Sequence, residues 1–130
     1  MSLEEYFETT AGTGILATSD RDGKVDAAVY SRPHFMEDGS MALIMRDRLS
    51  HANLQDNPQA AFLFVQEGKG YQGKRLFLTR VREEKNSDLL FRLRQRTYPE
   101  KDPFPGDPLF LVFFKIEKEL PLIGPGDEVS

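Results

Sequence analysis

Apolar residues recur at every second position over several short stretches of this chain, and turn-forming residues separate those stretches. A period of two predicts strands, because successive strand side chains point to opposite faces. Gly14–Ser19 reads as a strand, and Asp20-Arg21-Asp22-Gly23 as the turn after it, since an Asp-Gly pair tolerates the positive φ that hairpins require. In the return strand, Lys24–Arg32, one face carries Val25, Ala27 and Val29, and the other carries Asp26, Ala28, Tyr30 and Arg32. The second face looks the more functional. After a turn at Glu37-Asp38-Gly39-Ser40, Met41, Leu43 and Met45 alternate with Ala42, Ile44 and Arg46. Ala60–Val65 is an unbroken apolar run, as expected of an innermost strand covered on both sides. A glycine-rich connection, Glu67–Gly73, leads to a strand over Lys74–Arg82, with Leu76 and Leu78 opposite Phe77, Thr79 and Val81, and Leu109–Ile116 is the sixth strand.

Three helices are inserted among these strands. Ser2-Leu3-Glu4-Glu5 matches a capping box and starts a helix that runs to about Thr9, before Gly12 and Gly14. Ser50 is placed to cap a short helix that stops before Pro58, and Ser87 to cap one containing Leu89, Leu90 and Leu93. Arg92, Arg94 and Arg96 in that last helix read as a solvated basic face near its C-terminal end. Tyr98–Pro108 carries four prolines and is expected to be an irregular loop over the surface or a partner, and the tail Leu120–Ser130 to be loosely held. Six strands with hairpins first and long crossovers later predict a mainly β fold, a six-stranded antiparallel β-barrel with peripheral helices in one domain spanning residues 1–130.

Composition narrows the function. A formal net charge of -4 argues against general affinity for nucleic acid or anionic membrane. With no cysteine there is no thiol nucleophile, disulfide or cysteine-ligated metal centre, and no metal site is expected. No apolar run reaches the roughly 20 residues that cross a bilayer, and no secretory leader is evident, so a soluble cytoplasmic protein is expected.

Candidate chemistry gathers at Met45-Arg46-Asp47-Arg48-Leu49-Ser50-His51-Ala52-Asn53. A strand end carrying Arg46 and Arg48 runs into a helix start, where unpaired amides and guanidinium groups together favour a phosphate. Arg32, extended before Pro33, also calls for an anion or acidic neighbours. The bland alternative pairs Arg46 and Arg48 with Asp47 or Glu67. If Arg32, Arg46 and Arg48 prove to be held in internal ion pairs, a barrel without a cofactor is favoured. His34, at a strand end, reads as structural.

The chain resembles the pyridoxamine 5′-phosphate oxidase-like family of flavin-binding split barrels. Carrying the resemblance are Gly14-Ile15-Leu16-Ala17-Thr18 with Asp22-Gly23, Val29-Tyr30-Ser31-Arg32-Pro33, Asp38-Gly39, then Ser50, Asn53-Leu54 and Asn57-Pro58 before Ala60–Val65, about half the chain. It implies a homodimer with FMN at the subunit interface, the phosphate lying by Arg46–Asn53. Ser31, Arg32 and Pro33 would then lie near the flavin ring, and Met45, Arg46, Asp47 and Arg48 along the ribityl chain. The family often has a lysine where this chain has Ser50, and Arg46, Arg48 and His51 would supply the charge in its place. Gln72 falls where the oxidases have a flavin-contacting glutamine. The function implied is that of an FMN-dependent oxidoreductase acting on a small molecule, with a non-catalytic flavin- or haem-binding dimer or sensor as the alternative.

Overall fold

The computed structural model describes residues 1–97, 102 and 104–125. Three helices, α1 (Leu3–Thr9), α2 (Leu49–Asp56) and α3 (Asp88–Thr97), accompany seven strands: β1 (Gly12–Ser19), β2 (Val25–Tyr30), β3 (His34–Phe35), β4 (Met41–Arg46), β5 (Gln59–Gln66), β6 (Gly73–Lys85) and β7 (Leu109–Pro121). The strands form one antiparallel sheet in the order β2-β1-β5-β6-β7-β4-β3, curled into a half-barrel. The count is seven and not six because β3 is a two-residue pairing of His34 with Ala42 and Phe35 with Met41, too short to show an alternation. β7 runs on through Leu120 and Pro121, so the start of the expected loose tail is sheet. Of that tail, residues 126–130 fall outside the described residues, as do residues 98–101 and 103 of the proline-rich loop. The described part of the loop, Asp102 and Phe104–Pro108, is irregular as expected.

The concave side of the sheet holds the main core, with Leu16, Leu43, Phe62, Leu76, Leu78, Val112 and Phe114 meeting inside the curl. Each lies on the inward face of its strand, as the period of two dictates. Two helices close the ends. Ser2 caps α1 by accepting the Glu5 amide at 3.1 Å, and Phe7 of that helix drops among Phe35, Phe62 and Phe64. At the other end α2 contributes Leu54 to the core, while Asn53 donates to the Thr18 hydroxyl at 3.1 Å.

A second apolar cluster lies outside the curl. Leu90 of α3 packs on Ala42, Leu109, Leu111 and Phe113, so β7 is buried on both faces from Leu109 to Phe114. Ser87 holds that helix by accepting the Leu90 amide at 3.1 Å. The expectation that Ala60–Val65 is the strand covered on both sides is corrected here: Phe62 and Phe64 are buried, but Ala61, Leu63 and Val65 on the outer face are half-exposed. Both segments are continuous apolar runs, and only the docking of α3 distinguishes them. Along the uncovered outer face, Val29, Ile15 and Leu63 fall in one cross-strand row, and Ala27, Ala17, Ala61 and Phe77 in the next. Val25 is 82% exposed and Val29 74% exposed on that face, giving a broad bare apolar surface.

Close strand approach makes Gly73 a position of expected large effect. A Cβ there would collide with the carbonyl oxygen and carbon of Phe64, backbone atoms that cannot turn aside. Gly73→Ala is expected to lower stability by about 1–3 kcal/mol, the usual cost of overpacking. Urea unfolding followed by circular dichroism checks this, and an unchanged midpoint would show that the β5–β6 pairing yields at no cost.

Candidate functional site

The sheet does not close. β3 covers only Met41 and Ala42, leaving the rest of that β4 edge to face β2 across a gap. In the gap lies a cleft of about 390 Å³ lined by Val29, Tyr30 and Ser31 on one side and by Ile44, Met45, Arg46, Arg48, Leu109 and Arg94 on the other. Three guanidinium groups therefore stand beside an otherwise largely apolar slot. Of the residues expected from sequence, Ser31, Met45, Arg46 and Arg48 meet here.

The arginines do not stand free. Arg46 is paired with Asp102, has Asp107 at 4.0 Å, and lies over the Phe104 ring at 5.2 Å. Arg48 donates to Asp107 at 2.8 Å, and Arg94 comes within 3.7 Å of Asp102. The Phe104 amide, partly offset by burial and joined by Arg46 and Arg94, holds the Asp102 carboxyl below the ordinary carboxylate range. The partners are thus Asp102 and Asp107 of the proline-rich loop, where Asp47 and Glu67 were the alternatives named from sequence. Three positive and two negative charges leave the cleft with a positive excess.

The start of α2 departs from expectation. Arg48 holds the N-cap position in extended geometry with no side-chain capping bond, and its carbonyl accepts the Ala52 amide at 3.0 Å. Ser50 therefore lies inside the first turn and is no cap. It is buried, and its hydroxyl lies 3.3 Å from Asp26 Oδ2. The Tyr30 phenol, pushed up by burial, also interacts with Ser50.

His51 is buried with its ring stacked on Phe110 at 3.8 Å. Its Nδ1 lies 3.3 Å from Asp47 and its Nε2 3.0 Å from Glu83. Gln55 donates to Glu83 at 2.8 Å and Arg80 at 3.1 Å. Asn53 is occupied by Thr18. Ser50, His51 and Asn53 thus have partners within the chain and do not line the cleft.

Burial alone would raise the Glu83 carboxyl, but hydrogen bonds from His51, Gln55 and Arg80 together outweigh it and leave the group below its ordinary value. A carboxyl depressed on folding contributes stability that is present above its unfolded value and is lost as pH falls through its folded one. Glu83→Gln is therefore expected to flatten the acid limb of the stability profile. Urea midpoints measured from neutral pH to about pH 3 check this, and parallel profiles for the two proteins would refute it.

Arg32 and Pro33, placed near the flavin ring by the resemblance, do not line the cleft that holds Arg46 and Arg48. They line two further clefts. One, of about 380 Å³, also takes Gly14, Tyr30, Ser31 and Phe62; the other, of about 410 Å³, takes His34, Phe35, Leu93 and Arg96. Gln72 is exposed on the β5–β6 connection and lines none of the three. Arg94, read from sequence as a solvated charge, lines the first cleft. Its signal was its spacing: it lies one turn beyond the fully buried Leu90, on the inward face of α3. Asp102 and Asp107 carried no local signal.

No family model and no curated protein matches the chain. Solved structures do. An FMN-binding protein from Syntrophomonas wolfei subsp. wolfei is 21% identical, covers 94% of this chain and 84% of its own, and has a TM-score of 0.75. An F420 reductase is 13% identical, with 92% and 98% covered and a TM-score of 0.70. HutZ, the haem storage protein from Vibrio cholerae, is 18% identical, with 91% and 90% covered and a TM-score of 0.64. Putative pyridoxamine 5′-phosphate oxidases have the same architecture. The protein has the split-barrel fold of the pyridoxamine 5′-phosphate oxidase-like proteins. At these identities the likeness concerns the fold alone. No helix among the described residues is long and apolar enough to cross a membrane.

Proposed function

We propose that this protein binds FMN in the cleft between β2 and β4 and works as a homodimeric flavin-dependent oxidoreductase on a small molecule. The observation that carries the reading is the cleft itself: an open slot between two strand edges, with Arg46, Arg48 and Arg94 gathered in an otherwise largely apolar lining. The residues fit the group. Arg46 and Arg48 can hold a dianionic phosphate in bidentate geometry, with the first-turn amides of α2 as further donors. Val29, Ile44, Met45 and Leu109 offer apolar walls to a flat ring, and the free strand edges offer polar backbone. Ser31 and Tyr30 would stand at its margin. Bound flavin would supply hydride and electron transfer, leaving the protein to bind, orient and exclude water. For the phosphate to enter, Asp102 and Asp107 must give up the arginines they hold, so binding is an exchange of one anion for another.

The bare outer face supports the second copy. Apolar surface as continuous as that of Val25, Val29, Ile15, Leu63 and Phe77 is unusual on a monomer, and Val29 belongs both to it and to the cleft wall. A partner laid on this face would bury the outer residues of β5 and wall the cleft. The haem alternative has a similar fold behind it, but neither histidine of the chain lines this cleft.

Titration of the purified protein with FMN, followed by flavin fluorescence, tests the reading, with haemin titrated in parallel. Saturable quenching by FMN and bleaching of the bound flavin by NADH or NADPH are expected. Absence of FMN binding would overturn it. Binding without reduction by either nucleotide would leave a flavin carrier or sensor and remove the enzymatic role.

A further inference from the structure

The cleft of about 410 Å³ between α1, α3 and the segment leading into β3 has no part in the reading above. Arg32 and His34 enter it from one wall and Arg96 from α3. Among the described residues, neither Arg32 nor Arg96 makes an ion pair or side-chain hydrogen bond. Glu4 and Glu8 of α1 line the same cleft without pairing with either, whereas Arg46, Arg48 and Arg94 are all engaged by Asp102 or Asp107. Unpaired guanidinium groups flanking a pocket are the usual means of recognising an oxyanion. Phe35 and Leu93 add apolar surface between them.

We propose that this cleft is a second anion site, taking the phosphate or carboxylate of a small organic molecule whose apolar body lies against Phe35 and Leu93. The oxyanion bridges Arg32 and Arg96, and His34 adds a hydrogen bond. Burial, with the charges of Arg96 and Arg32, keeps the His34 imidazole below its ordinary value. The titratable and charged groups facing His34 across the cleft are Arg32, Arg96, Glu4 and Glu8. An anion seated between the arginines offsets their charge and moves the His34 titration upward. Glu4 and Glu8 of α1 oppose the ligand and limit its affinity.

The site does not depend on flavin, so its test is run with and without FMN. Phenyl phosphate, benzoate and uncharged benzyl alcohol are titrated into the full chain, following the His34 and His51 ring resonances by NMR and heats of binding by calorimetry. One or both anions are expected to shift His34 and raise its titration midpoint, with His51 unmoved and benzyl alcohol inert. The two anions decide between phosphate and carboxylate. Arg96→Ala, on the exposed side of α3, is expected to weaken binding about tenfold or more. Arg92→Ala on the same helix is expected to leave it unchanged, and Glu8→Gln to tighten it. Failure of both anions to bind, equal binding in Arg96→Ala and Arg92→Ala, or displacement of FMN by the anion would each overturn the proposal. If FMN does not bind but phenyl phosphate still moves His34, the flavin reading falls and this one stands.

Discussion

Arg46→Ala is expected to weaken FMN binding about 10- to 100-fold, the worth of a charge-assisted contact to a phosphate in a partly desolvated cleft. Arg46 is the best placed of the three arginines, since it ends β4, lines the slot and is only 22% exposed at its side chain. Fluorescence titration of wild type and variant gives the ratio directly. Asp102→Asn moves the other way. Asp102 holds Arg46 and lies within 3.7 Å of Arg94, so neutralising it frees donors that the phosphate must otherwise win. A surface-type ion pair is worth at most about 1 kcal/mol, so tightening of up to about fivefold is expected. Weaker FMN binding in both variants would mean that the loop carboxylate orients the arginines for the ligand. Unchanged binding in Arg46→Ala would remove the arginine cleft from the phosphate's account, and with it the central claim about this site.

Leu63→Glu is expected to yield a monomer. Leu63 sits mid-strand on the outer face of β5, flanked across the sheet by Ile15 and by Arg75. Its side chain points away from the main core, so the substitution spares the fold while placing a carboxylate at the centre of the bare surface. Taking a carboxylate out of water costs several kcal/mol even with Arg75 opposite it, and about 3 kcal/mol is enough to raise a dimer dissociation constant by about two orders of magnitude. Sedimentation velocity across a range of protein concentrations reads the change, with far-UV circular dichroism as the check on folding. Since Val29 joins the bare face to the cleft wall, FMN retention should fall with dimerisation. A wild-type protein that sediments as a monomer, or a variant that remains dimeric, would refute the assignment of this face.

Internal pairing of the three arginines favours a barrel without a cofactor; Arg46 and Arg48 are so paired, while Arg32 has no ion pair among the described residues. The exchange at Asp102 and Asp107 is what separates the two readings experimentally. A cofactor-free barrel predicts that Arg46→Ala only loosens the loop. The flavin reading predicts a loss that phosphate-bearing ligand alone can report.

Three helices and six strands were legible in the chain because each is specified by its own residues: alternation or an unbroken apolar run for the strands, Asp-Gly turns, Ser2 and Ser87 at helix starts, Pro58 after a helix end. Three features were not. Ser50 looked like a cap, but its hydroxyl is drawn to Asp26, and Arg48 takes the cap position without a side-chain bond. Ala60–Val65 and Leu109–Phe114 are both continuous apolar runs, yet the reading from sequence took only the first as covered on both sides, and the packing of α3 covers the second and leaves the first half bare. Arg46 finds its acid 56 residues further on, a pairing that no local spacing announces. Local sequence determined which segments are strand or helix and how many charges the strand end carries, since backbone preference and side-chain period act over a few residues. Which of those charges meet one another, which face water and where the slot opens were decided by the curl of the sheet, because electrostatic and apolar contacts act through space between segments that the chain holds far apart.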